Sequence, residues 1–228
     1  MSEEFKNLNP ANANHLKVDF IRHGATEYLE NTEKNKHNLE TIPVDLTDVG
    51  IEQIEKVGAE VVNAIDPEKE VVILWSSPAW RAQGSEAIIE KLLMERGVTI
   101  FKKKVIRSMG AITQYGDKFD STAEAKVRRN AENVFNWIRF IAERSSKLDK
   151  TIHIVGVTHY EFLNPLREDI FPFDVPHGKG FQKGENISFE FVFDKTTKEL
   201  SITAILRNYE VKNIIFDKVT RKFISRGK

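Results

Sequence analysis

A chain of 228 residues, 40% hydrophobic and 30% charged, has globular composition with material for a core, and its length suits one domain rather than two full ones. Lys plus Arg and Asp plus Glu number 34 each, which argues against a general nucleic-acid or membrane-surface binder because no net basic field is present. Cysteine is absent, excluding disulfides, thiolate metal sites and cysteine nucleophiles. The polar opening MSEEFKNLNPANANH lacks the apolar region of a secretory signal, and no apolar run is long enough to span a bilayer. The expectation is a cytoplasmic protein, with residues 1–15 as a polar extension and 16–228 as a single domain.

Leu16 to Ile21 predicts a short buried strand from its β-branched and aromatic bias, ending at Arg22-His23-Gly24. The polar stretch from Ala25 to Pro43 has no periodicity, and so long a connection in a compact domain usually serves function. Thr47 reads as a helix N-cap ahead of Ile51, Ile54, Val57, Val61 and Ile65 at helical spacing, with Pro67 as the stop. Val71 to Trp75 is a second apolar strand. Ser76-Ser77-Pro78 is predicted to cap a helix reaching Arg96, with Gly97 at its C′ position. Thr99 to Ile106 alternates as a third strand and carries Lys102-Lys103-Lys104, a cluster suited to a sheet edge.

Residues 107–120 read as irregular, and Ser121 to Lys147 sets Val127, Val134, Ile138 and Ile141 on a helical repeat. Ile152 to Val157 is a fourth buried strand that turns at Thr158-His159 into another helix. Phe171 to Gly184 is a loop rich in Pro, Gly and Lys. Ile187 to Phe193 and Leu200 to Leu206 flank Asp194–Lys198 as a hairpin, and a last short strand is predicted around Val211 to Phe216. Strands alternating with helices predict an α/β fold: a three-layer α/β/α sandwich whose mostly parallel central sheet ends in an antiparallel hairpin.

Arg22-His23 ends the first strand, Arg81 opens the helix after the second, and His159 ends the fourth. Loops after parallel strands lie along one edge of a sheet, so these groups can converge. Two guanidinium forks and two imidazoles suit a dianionic phosphoryl group. No Asp/Glu cluster has metal-ligand spacing and no GxxxxGK[ST] loop is present, which leaves a metal-free covalent mechanism with a neutral histidine attacking phosphorus.

Five segments in this order resemble the histidine phosphatase superfamily, which includes the cofactor-dependent phosphoglycerate mutases. Arg22-His23-Gly24 is similar to its RHG signature, and Leu46-Thr47-Asp48-Val49-Gly50-Ile51-Glu52-Gln53 to its LTxxGxxQ helix start. Ser76-Ser77-Pro78-Ala79-Trp80-Arg81-Ala82 resembles SSPxxRA, with Ser85 where Thr is common. Thr158-His159-Tyr160-Glu161 resembles the segment holding the second histidine, and Asn186-Ile187-Ser188 the Asn that opens a late strand.

The resemblance implies a phosphomonoester hydrolase in which His23 is phosphorylated, Arg22 and Arg81 bind phosphoryl oxygens and His159 is their electrostatic partner. It implies Thr26 as an assisting hydroxyl. The usual pocket Asn falls on Leu29 here, with Asn31 as its substitute in a shifted loop. The mutase-type Glu falls on Ser108, so Glu161 is the candidate proton donor and Asp117 the alternative. No metal and no cofactor is expected; the partner is a small phosphorylated substrate or inorganic phosphate, not nucleic acid or membrane. A phosphoglycerate-mutase-type transferase and a catalytically impaired phosphate-binding regulator are the alternatives. His15, His37, His153 and His177 are assigned to surface or core, and Lys179 and Lys183 to a solvated loop, with a basic rim formed with His177 to attract an anionic substrate as the alternative.

Overall fold

The structure, a computed structural model, describes residues 13–26, 46–110, 121–145, 149–171, 181–217, 219–220 and 222–225, with residues 121–123 as backbone only. Four strands follow the apolar runs: β1 (Ala13–Arg22), β2 (Glu70–Ser76), β3 (Ile100–Val105) and β4 (Thr151–Thr158). Between and after them come α1 (Asp48–Asn63), α2 (Trp80–Glu95), α3 (Ser121–Arg144) and α4 (Tyr160–Ile170). The chain closes with β5 (Asn186–Asp194), β6 (Leu200–Leu206), β7 (Tyr209–Val211), β8 (Ile214–Asp217) and β9 (Lys222–Ser225). The main sheet runs β3-β2-β4-β1-β5-β6-β7; β3, β2, β4 and β1 are mutually parallel, and β5 to β7 add antiparallel.

Helices cover both faces. On one face α1 and α2 pack on Ile21, Val72, Leu74, Val155 and Val157; on the other, α3 and α4 pack on Leu16, Val18, Phe20, Phe189 and Phe191. Phe20 of β1 makes edge contacts with Phe162 and Phe189, joining α4 to β1 and β5. The predicted α/β/α layering and the C-terminal hairpin are what the chain adopts.

Local differences have local reasons. β1 begins at Ala13 because Ala13 to His15 pair with Asp194 to Val192 of β5, a ladder that needs backbone rather than apolar side chains. The helix after β2 starts at Trp80 with Ala79 as its N-cap and no side-chain cap bond. Ser77 lies outside that helix and receives the Ala79 N–H at 3.3 Å. The single predicted strand near residues 211–216 is two strands, broken at Asn213 with φ +55°, and the second pairs with β9. Thr47 caps α1 as predicted, accepting the Gly50 N–H at 3.1 Å. The three lysines lie on β3, an edge strand, where Lys103 reaches Glu86 and Glu90 of α2.

A buried polar network crosses the α1 side of the sheet. His153 of β4 contacts Asp19 at 2.6 Å through Nε2 and Glu70 at 3.1 Å through Nδ1. Lys17 donates to Glu70 at 2.7 Å, and Asn186 Nδ2 donates to Asp19 at 3.0 Å. Burial opposes charging of His153, but the hydrogen bonds and charges of Asp19 and Glu70 outweigh it and raise its pKa above 6.5. Burial would likewise raise Glu70, but hydrogen bonds from His153 and Lys17 hold it below its usual value.

A folded-state pKa above the unfolded one gives stability that is fully present below pH 6.5 and fades as pH rises through the folded value. His153→Leu strands two buried carboxylates and is expected to cost about 3–5 kcal/mol. Urea unfolding of both proteins across pH should show that gap largest on the acid side of pH 6.5 and narrowing above it.

Candidate active site

The parallel strands bring the motif residues to one edge. At the end of β1 the His23 N–H bonds to Thr158 of β4 at 3.0 Å, and at the end of β2 the Ser77 N–H bonds to Val157 at 2.9 Å. His23 and His159 are both buried, with ring centroids 5.0 Å apart. Arg81, one residue into α2, donates from Nε to His23 Nε2 at 3.2 Å. Arg22 donates to the Phe181 carbonyl at 2.6 Å, and its guanidinium lies 5.1 Å from the Tyr160 ring centroid.

The tautomer of His23 follows from its neighbours. Nδ1 is 2.7 Å from the Gly24 carbonyl, which can only accept, so Nδ1 carries the hydrogen. Nε2 then keeps its lone pair, and the Arg81 Nε–H that points at it confirms an acceptor there. Burial first, and then the Arg81 charge, push the His23 pKa down to about 3, with Arg22 and Lys183 adding to the shift. His159 is also held well below 6.5, again by burial first and then by Arg81, His23 and Arg22. The pocket therefore pairs two guanidinium cations with two uncharged imidazoles.

His159 has its own hydrogen-bond arrangement. Nε2 lies 2.6 Å from Ser77 Oγ, while Nδ1 is buried without a hydrogen-bond partner among the described residues. The loop holding His23 is pinned against α1 and α2. Ser85 Oγ donates to the Arg81 carbonyl at 2.8 Å and receives the Gly24 N–H at 3.3 Å, and Gln53 receives the Ala25 N–H at 3.0 Å. A Cβ on Gly24 would lie 2.2 Å from the Gly50 carbonyl oxygen, and one on Gly50 would lie 2.1 Å from that of Ala25. Only glycine permits this approach of two backbones.

Arg22, His23, Arg81 and His159 are thus brought together as expected. Thr26 bridges to Leu46 beside them. Glu161 lies in the first turn of α4, two residues from His159, and makes no hydrogen bond or ion pair with a described residue. Asn31, Leu29, Asp117, Lys179, His37 and His177 lie outside the described residues. Ser108 sits in a single 3-10 turn, Arg107–Met109, which Thr158 holds by donating to the Met109 carbonyl at 2.8 Å. Asn186 and Ser188 are engaged by Asp19. His153 is core and His15 is exposed. Sequence reasoning missed Ser77, which it took for a helix cap, and Gln53; both lie inside quoted motifs, but their partners are distant in sequence.

The family model of the histidine phosphatase superfamily (branch 1) matches residues 18–198. The chain belongs to that superfamily. Among solved structures it is similar to a phosphoglycerate mutase from Bacillus anthracis str. Sterne, with TM-score 0.50 and 15% identity over 86% of this chain and 95% of that one. A mycobacterial glucosyl-3-phosphoglycerate phosphatase is similar with TM-score 0.50 and 15% identity, over 85% of this chain and 98% of that one. At such identity these two establish the shared fold. No curated protein matches. Among the described residues no helix is long and apolar enough to cross a membrane.

With its folded-state pKa near 3, His23 stays neutral as pH falls below 6.5, where an ordinary histidine gains its proton. Its ring resonances in an NMR titration should therefore stay flat between about pH 5 and pH 8. A midpoint close to 6.5 would show that the pocket does not hold the ring uncharged.

Proposed function

We propose that this protein is a phosphomonoester hydrolase that works through a phosphohistidine on His23. The observation that carries the proposal is the preset nucleophile: a buried, uncharged imidazole whose Nδ1–H is given to Gly24 and whose Nε2 lone pair faces the Arg81 guanidinium. A bound ester takes the place of that lone-pair contact. Arg81 and Arg22 then bind the non-bridging oxygens, and their two positive charges match the dianion without a metal.

Nε2 attacks phosphorus as the ester P–O bond breaks, and the leaving oxygen takes a proton from Glu161. Water then attacks the phosphohistidine, Glu161 recovers a proton from it, and inorganic phosphate leaves with His23 neutral again. The Gly24 carbonyl supports the first step, because it stabilises the positive charge that the ring acquires when phosphorylated. Substrates are small phosphorylated molecules, and inorganic phosphate is the product.

Purified protein treated with EDTA is expected to hydrolyse p-nitrophenyl phosphate, and His23→Ala to lose that activity. Full activity in His23→Ala would end the proposal. Glu161→Gln separates the proton donor from the pocket: it should slow alkyl phosphates more than p-nitrophenyl phosphate, whose leaving group hardly needs protonation. Equal slowing of the two would remove Glu161 from that role.

A further inference from the structure

His159 has no charge with which to hold an anion, because burial and then the neighbouring Arg81, His23 and Arg22 keep its ring unprotonated. A neutral imidazole helps a phosphoryl group only if it presents an N–H, and a ring presenting its lone pair would repel the oxygens. One tautomer is useful and the other harmful. What selects between them is a hydrogen bond outside the phosphate pocket's charged groups.

That bond is with Ser77. Its Oγ is 2.6 Å from His159 Nε2 and also receives the Ala79 N–H at 3.3 Å. A serine oxygen has one hydrogen to donate, and among the described residues His159 Nε2 is the acceptor within reach of it. If Nε2 carried the ring hydrogen, it and the Ala79 N–H would fill both Ser77 lone pairs and leave the hydroxyl hydrogen with no acceptor among the described residues, so that hydrogen goes to Nε2. Nδ1 must then carry the ring hydrogen, and Nδ1 is buried with no partner among the described residues. Ser77 itself has no freedom to turn away, being wholly buried with its backbone N–H fixed to Val157 at 2.9 Å.

We propose that Ser77 is a positioning residue that fixes His159 as its Nδ1–H tautomer, so that His159 donates this hydrogen to the phosphoryl group transferred through His23. The ring separation of 5.0 Å is one that a phosphoryl group on His23 can span. The two histidines are then the same Nδ1–H tautomer turned to opposite uses. His23 gives its Nδ1–H to a backbone carbonyl and offers a lone pair; His159 receives a hydroxyl hydrogen and offers an N–H. Removing Ser77 frees His159 to adopt the tautomer that opposes phosphate.

This role rests on the phosphatase reading, and the test keeps the two apart. Protein labelled with 15N in its histidines reports each ring's tautomer by NMR, with His159 assigned by comparison with His159→Gln. The wild type is expected to show Nδ1–H at His159, and Ser77→Ala to lose that preference. Calorimetry should show weaker inorganic phosphate binding by Ser77→Ala. The kcat for p-nitrophenyl phosphate should fall at least about tenfold, with less change in KM, and by no more than the roughly 10²–10³-fold that loss of an oxyanion donor costs.

Ser77→Thr keeps the hydroxyl and is expected to recover tautomer, phosphate affinity and rate together. Nε2–H at wild-type His159 overturns the proposal. So does a Ser77→Ala protein with tautomer and phosphate affinity unchanged. A wild type that binds phosphate but fails to hydrolyse any ester counts against the phosphatase reading alone, since the tautomer and affinity measurements still decide the role of Ser77.

Discussion

The site depends on the register of three parallel strands. β1 and β2 both pair with β4, and they end level with it: Arg22 opposite Thr158, Ser76 opposite Val157. The next residues on each chain, His23, Ser77 and His159, therefore leave the sheet at the same height. The first two are still tied to β4 by their backbone N–H groups. Side chains from residues more than 130 positions apart meet because a hydrogen-bond ladder lines up their strand ends. A slip of one residue in either pairing would turn the terminal side chains to opposite faces.

Above that frame, neighbours rather than residue type decide what each buried histidine does. His153 lies between two carboxylates, and their hydrogen bonds favour its charged form against burial. His23 and His159 lie beside arginines, and burial and cationic charge act in the same direction to keep them neutral. All three rings are nearly inaccessible to solvent. The first holds β1, β2 and β4 together beneath the active edge through ionic contacts. The other two remain open to an anion because, among the described residues, no carboxylate bonds to either ring.

Much of this was legible from residue order. Continuous apolar runs such as Val71 to Trp75 marked the buried parallel strands, and the RHG, SSPxxRA and second-histidine segments marked the edge. What escaped were interactions whose two halves carry no shared local signal. Ser77 precedes a helix and looks like a cap, yet its partner is 82 positions away. His153 reads as a lone polar residue in an apolar strand until β1 brings Asp19 beside it, 134 positions distant. The extra residues of β1 were hidden because antiparallel pairing with β5 uses backbone groups, which every sequence has. The Phe181 carbonyl that receives Arg22 was hidden for the same reason.

That carbonyl also changes what an incoming ester gains from Arg22. Arg22 is threaded to the approach to β5 by its side chain to Phe181, by its own N–H to the Glu185 carbonyl, and by its carbonyl to the Gly184 N–H. A ligand oxygen that recruits the N–H now given to Phe181 exchanges a neutral acceptor for a charged one. The net attraction is the difference between the two bonds, and charge-assisted bonds to an anion are about twice as strong as those to a neutral acceptor. Arg22 is thus graded by the charge of what it meets: a doubly ionised phosphate ester draws it away from the backbone more strongly than a singly ionised sulfate ester of the same shape.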